Sequence, residues 1–159
     1  MNLKNSKIVL LASVALYSTL VAFNNVTDYG SNFAFVRHVL LMDTTFPDNS
    51  GLWRAVDNAA LHHAAYAAII ATEVAIALLA WYATIRLWSS RRDPVAFRAD
   101  KRFATAALTL GIVLWFTGFI AIGGEWFLMW QSEAWNGIQS SFRIVTVFLL
   151  VLVFIHTDD

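Results

Sequence analysis

Apolar runs and polar breaks divide the chain into four long hydrophobic stretches and three connecting segments. The first stretch, IVLLASVALYSTLVAFNNVTD, runs from Ile8 to Asp28 behind Lys4 and Lys7. The second covers His62–Trp88 and the third Phe103–Trp126. In the last, only Ile144–Ile155 is uninterrupted, so that helix has to begin near Gly137 and end near His156 to be long enough. A membrane-crossing helix needs about 20 mainly apolar residues. The pattern predicts an all-α fold, a four-transmembrane-helix bundle with spans at about 8–28, 62–88, 103–126 and 137–156, in one membrane domain over residues 1–159. The basic start and apolar core have the look of a cleavable leader, but no small-x-small site follows them, and the first stretch is read as a retained helix.

The first two connections differ in character. Residues 89–102, SSRRDPVAFRADKR, read as a solvated basic turn. Residues 29–61 are too long for a turn, and loops beyond about 12–15 residues usually carry structure or function. Within them, NFAFVRHVLLM sets Phe33, Val36 and Leu40, and Phe35, Val39 and Met42, at helical spacing. That spacing predicts an amphipathic helix lying on the outer membrane surface. Pro47 and the run Asp48-Asn49-Ser50-Gly51 then supply turn residues. Lys4, Lys7, Arg86, Arg91, Arg92, Arg98, Lys101 and Arg102 fall on one side of this layout, against Arg37, Arg54 and Arg143 on the other. Positive residues gather on the cytoplasmic side, so both termini are expected there.

Composition agrees with the pattern. The 159 residues are 58% hydrophobic and 14% charged, where a soluble domain carries about 25% charged residues. Zero net charge argues against nucleic acid as a partner. The absence of cysteine rules out disulfides, thiolate metal sites and iron–sulfur clusters. No internal repeat of the transporter kind is evident.

Ionisable groups are costly in hydrocarbon, so polar residues inside the spans carry the most information. Glu73 lies thirteen residues before Arg86, and Arg143 thirteen before His156; each is thus roughly 20 Å above the cytoplasmic boundary. Equal depth predicts an intramembrane Glu73–Arg143 ion pair. Asn24 and Asn25 come slightly higher, with Asp28 above them. Asn24, Asp28, Glu125, Gln131, Asn136 and Gln139 suggest a polar cluster in the outer half of the bundle. Gly111, Gly118 and Glu125 recur every seven residues, a small-residue face suited to contact between helices. His62, Tyr66 and Glu73 share another face.

His38, Asp43, His62 and His63 are the candidate metal or haem ligands, although a wet membrane boundary accounts for them more simply. No H-E-x-x-H, G-x-S-x-G or phosphate-binding glycine loop occurs, and Ser140-Ser141 and Ser89-Ser90 have no evident base. Trp126, Trp130 and Trp135 stand where the third span should leave the bilayer, as an interfacial aromatic collar would.

Several strings together, NNVTDY (24–29), FVRHVLLMDTTFP (35–47), LWRA (52–55), GFIAIGGEWFLMWQS (118–132), WNG (135–137) and FR (142–143), give the chain a further identity. It resembles a bacterial family of predicted small integral membrane proteins of unknown function. The resemblance covers nearly the whole chain and implies a four-span inner-membrane protein; no activity, substrate or ligand comes with it. The expectation is a protein that acts by association in the lipid bilayer, as a homo-oligomer or an accessory subunit of a membrane complex. An ion or small-solute path through the outer polar cluster is the alternative, and metal- or haem-based electron transfer a further one. No cofactor is required by the sequence.

Overall fold

A computed structural model describes residues 3–158, and among these there is no strand. Five α-helices follow one another: α1 Leu3–Thr27, α2 Tyr29–Leu41, α3 Ala59–Ser90, α4 Pro94–Ile112 and α5 Ile138–His156. The fourth continues without a break as a π-helix over Val113–Trp126. Short 3₁₀ turns lie at Leu52–Arg54 and Met129–Gln131. Four helices are long and apolar enough to cross a membrane: α1, α3, α4 with its π continuation, and α5. They pack as a helical bundle, α1 on α3, α3 on α4 and α4 on α5, with a looser seam where α5 meets α1.

The helices overrun the stretches that hydropathy marks, most of all at the start of α4. Residues 89–102 were expected as a loop, yet the turn is confined to the few residues between Ser90 and Pro94. The reason is local. Asp93 accepts from the N–H groups of Val95 and Ala96, and Pro94 occupies the first helical position, where its missing donor costs nothing. Arg86 of α3 then reaches Asp100 of α4 at 2.8 Å. At the same end the buried Lys7 ammonium donates to the carbonyls of Thr157 and Asp158, closing the C-terminus of α5.

The core occupies this termini end. Ile8, Leu11 and Val14 of α1 meet Ile76 and Leu87 of α3, Phe97 and Leu108 of α4, and Phe148 and Ile155 of α5. Ala15, Ala80 and Ala107 form a second contact where α1, α3 and α4 come close, as small residues permit. Gly111 serves the same purpose toward α5: a Cβ there would collide with the Phe148 ring. The contact between helices expected of the glycine face is made, at Gly111, with the protein's own fifth helix.

Beyond Ile112 the seven-residue spacing of Gly111, Gly118 and Glu125 loses its meaning. A π-helix bonds residue i to i+5, and long examples are rare; its wider turn moves residues seven apart off a common face. Glu125 is accordingly exposed. At this loop end α2 follows α1 after a single residue, Asp28, and ends on Met42 in a left-handed conformation, φ 52°. The apolar residues of α2 turn toward the bundle: Val36 is buried, and Phe35, Val39 and Leu40 line an apolar slot against Ile69 and Phe119.

Candidate functional site

The inward stripe of α3, which includes His62, Tyr66, Glu73 and Ile76, carries one carboxylate deep into the bundle. Glu73 is 2% exposed. Its Oε2 accepts a hydrogen bond from the Asn25 amide at 2.7 Å. Tyr66, two turns above, donates its hydroxyl to Asn25, between the backbone oxygen at 3.1 Å and Oδ1 at 3.2 Å. A relay Tyr66–Asn25–Glu73 thus fixes the orientation of the carboxylate. The second oxygen, Oε1, is buried without a hydrogen-bond partner, and a buried acceptor left unmade is expensive, more so when charged.

Glu73 lines a cavity of about 470 Å³ that reaches Ser31 and Asn32 of α2 and the 134–137 segment at the loop end. Its walls are aromatic, from Phe35, Tyr66, Trp115, Phe119 and Trp135, with Ser140 and Ser141 of α5 between them. Below Glu73 the free space shrinks to a void of about 10 Å³ against Tyr17, Ile76 and Trp115, room for one water at most. The apolar core lies beneath. The volume is that of a small-molecule site, concave and mainly apolar with few polar groups.

The mouth is braced from both sides. Trp135 stacks on His38 with ring centres 4.6 Å apart and meets Phe35 edge-on, while His38 bonds Asp43 at 2.8 Å. Gln131 Oε1 accepts from the Phe46 N–H and the Asn49 amide, and Thr44 meets Ser132 at 2.8 Å. Gly137 lets Phe35 approach, since a Cβ would lie 2.9 Å from its ring.

The structure regroups the residues expected from the sequence. Glu73 and Arg143 form no ion pair; Glu73 turns inward to Asn25, whereas Arg143 is exposed beside the α1–α5 seam. Their depths match, but α5 buries Ser141, Phe148, Val151 and Ile155, and Arg143, two residues past Ser141, is about half a turn away from that stripe. The outer polar cluster also disperses. Asn24, Asp28, Glu125, Asn136 and Gln139 are exposed; Asp28 accepts from Ser31, Asn136 accepts from the Ile138 N–H at the start of α5, and Gln131 clamps the loop. Of these only Asn136 borders the cavity. Asn25, Asn32, Ser140 and Ser141 hold the places assigned to them.

The four candidate metal ligands do not converge either. His38 is with Asp43, His62 donates to the Val56 carbonyl at 2.7 Å, and His63 meets the Tyr29 hydroxyl at 2.8 Å while stacking on Phe33. Among the described residues no three His, Asp or Glu side chains gather as a metal site would require. Trp126 and Trp130 are exposed, against Trp53 and Phe46 respectively; Trp135 alone of the three lines the cavity.

Fold and site together define a small multi-pass membrane protein with one buried carboxylate in an aromatic-walled cavity. Residues 3–158 match the family described as predicted small integral membrane protein (DUF2165), and the chain belongs to that family. No curated protein and no solved structure matches it.

Proposed function

We propose that this membrane protein binds a small organic cation, an amine or quaternary ammonium compound, in the loop-end cavity. The observation that carries this reading is Glu73, which lines the cavity and whose Oε1 is buried without a partner. A cationic group beside it supplies the missing charge and hydrogen bond. The aromatic walls suit the same ligand, because ammonium groups are attracted to ring faces within about 6 Å. A bare metal ion fits less well: a hard cation takes several oxygen ligands, and the cavity offers one carboxylate. The apolar slot beside α2 shares Phe35, Val36, Ile69 and Phe119 with the cavity, which favours a ligand with an apolar substituent.

In this reading the protein sits in the bacterial inner membrane with both termini in the cytoplasm and the cavity facing outward. The positive-residue distribution supports that orientation. The apolar core below Glu73 argues for capture over open conduction. Association, as a homo-oligomer or accessory subunit, has its own support in an exposed patch at the loop end. Trp53 there is 73% exposed, and the Arg54 guanidinium lies 5.0 Å from the Trp126 ring centre; such Trp and Arg groups are typical anchors for partners.

The test is thermal-shift titration of the purified protein with choline, tetramethylammonium and ethanolamine, against 3,3-dimethylbutanol as neutral isostere. Cations that raise the melting temperature of the wild type but not of Glu73→Gln support the reading. No shift with any cation, or an equal shift with the neutral alcohol, overturns it.

A further inference from the structure

Arg143 is a cation without a countercharge among the described residues. It is exposed on α5, five residues from the helix start at Ile138, and so roughly 7–8 Å inside the loop end of its span. Side chains lean toward the N-terminus of their helix, which for α5 is the loop end. From there a guanidinium can reach the membrane–water boundary, as long basic side chains do.

Directly beneath it, α1 and α5 leave a groove of about 300 Å³. Leu10, Val14, Val147 and Val151 give it an apolar floor, and Tyr17 stands at the Arg143 end of α1. Ser13, the only small hydroxyl in the lining, already donates to the Val9 carbonyl at 3.0 Å. Between Arg143 and Val151 the groove runs eight residues along α5, about 12 Å. No acidic residue lines it.

We infer that this groove is a phospholipid site, with the phosphate on Arg143 and one acyl chain in the α1–α5 seam. A fixed positive charge above an apolar trough is the complement of a phospholipid, and of no soluble anion. With no carboxylate in the lining to answer a headgroup ammonium, net-anionic lipids bind in preference to zwitterionic ones. The site is separate from the Glu73 cavity: Arg143 does not line that cavity, and Glu73 does not line this groove.

Native mass spectrometry of the delipidated full chain tests this, with phosphatidylglycerol, phosphatidylcholine and diacylglycerol of identical acyl chains. Wild type is expected to retain them in that order. Arg143→Gln lowers phosphatidylglycerol binding about tenfold, to the diacylglycerol level, and Arg143→Lys falls between. Val147→Trp, which fills the trough and keeps the charge, lowers binding of all three. Equal retention of phosphatidylglycerol and diacylglycerol by the wild type, or unchanged phosphatidylglycerol binding in Arg143→Gln, overturns the inference. So does an Arg143-dependent, lipid-free dimer, which would make a second copy the occupant.

Discussion

Asn25 of α1 gives its amide to one oxygen of Glu73 on α3 at 2.7 Å, and the other oxygen receives nothing. Half-satisfied buried networks cost more than apolar packing of the same shape. Glu73→Gln keeps the shape and removes the charge. It is expected to stabilise the ligand-free protein in detergent by on the order of 1 kcal/mol, seen as a higher melting temperature. A fall of similar size would mean that the carboxylate has an unrecognised cationic partner.

The two neighbouring asparagines should behave differently. Asn25 is held between Tyr66 and Glu73, while Asn24 is exposed. Asn25→Leu leaves the Glu73 carboxylate with no donor and is expected to cost roughly 1–3 kcal/mol. Asn24→Leu should stay within about 0.5 kcal/mol. Chemical or thermal unfolding of the two variants side by side decides this; equal effects would place the relay wrongly.

Gly111 admits the Phe148 ring between α4 and α5. Gly111→Leu overpacks that contact and should destabilise by about 1–3 kcal/mol. Shrinking the ring opens the space again, so Gly111→Leu with Phe148→Ala should be more stable than the two single effects added together. Strict additivity in the double-mutant cycle would show that the two side chains do not meet.

The start of α4 depends on one side chain. Asp93→Ala removes the acceptor for the Val95 and Ala96 N–H groups and is expected to cost about 1 kcal/mol, whereas Asp93→Asn should retain most of the stability. Hydrogen exchange at residues 95–97 gives the local readout: faster in the alanine variant, near wild type in the asparagine variant.

Why depth was legible in the sequence and direction was not can be seen on α5. Thirteen residues from His156 put Arg143 at the level of Glu73, and rise per residue is the same for any straight helix. Direction needs a contrast between faces, and Ile144–Ile155 is apolar all round except for Thr146. Lipid is as apolar as the core, so the inward stripe through Ser141, Phe148 and Val151 leaves little trace. On α1 a trace did exist. Leu11, Ser18 and Asn25 recur every seven residues, and the first two are buried, which singles out Asn25 over Asn24.

The four spans were visible because length and hydropathy set them, and α2 because its apolar residues recur at helical spacing. The cavity was visible only in part. Tyr66 and Glu73 share a face in any α-helix, but Trp115 and Phe119 reach the cavity from a π-helix, whose wider turn hydropathy does not announce. Trp135 looked like a collar residue by position alone; its stacking on His38 depends on the fold of the loop between them.

The dead end beneath Glu73 has an electrical consequence. A cation that settles on that carboxylate has left bulk solution for a point inside the bundle, so part of the transmembrane voltage acts on it. Carrying one elementary charge through a full drop of 100 mV is worth about 2.3 kcal/mol. Each third of the drop spanned by the cavity thus changes occupancy roughly fourfold. In the proposed orientation, with the mouth outward, a membrane negative inside would draw such a cation in, and depolarisation would let it go.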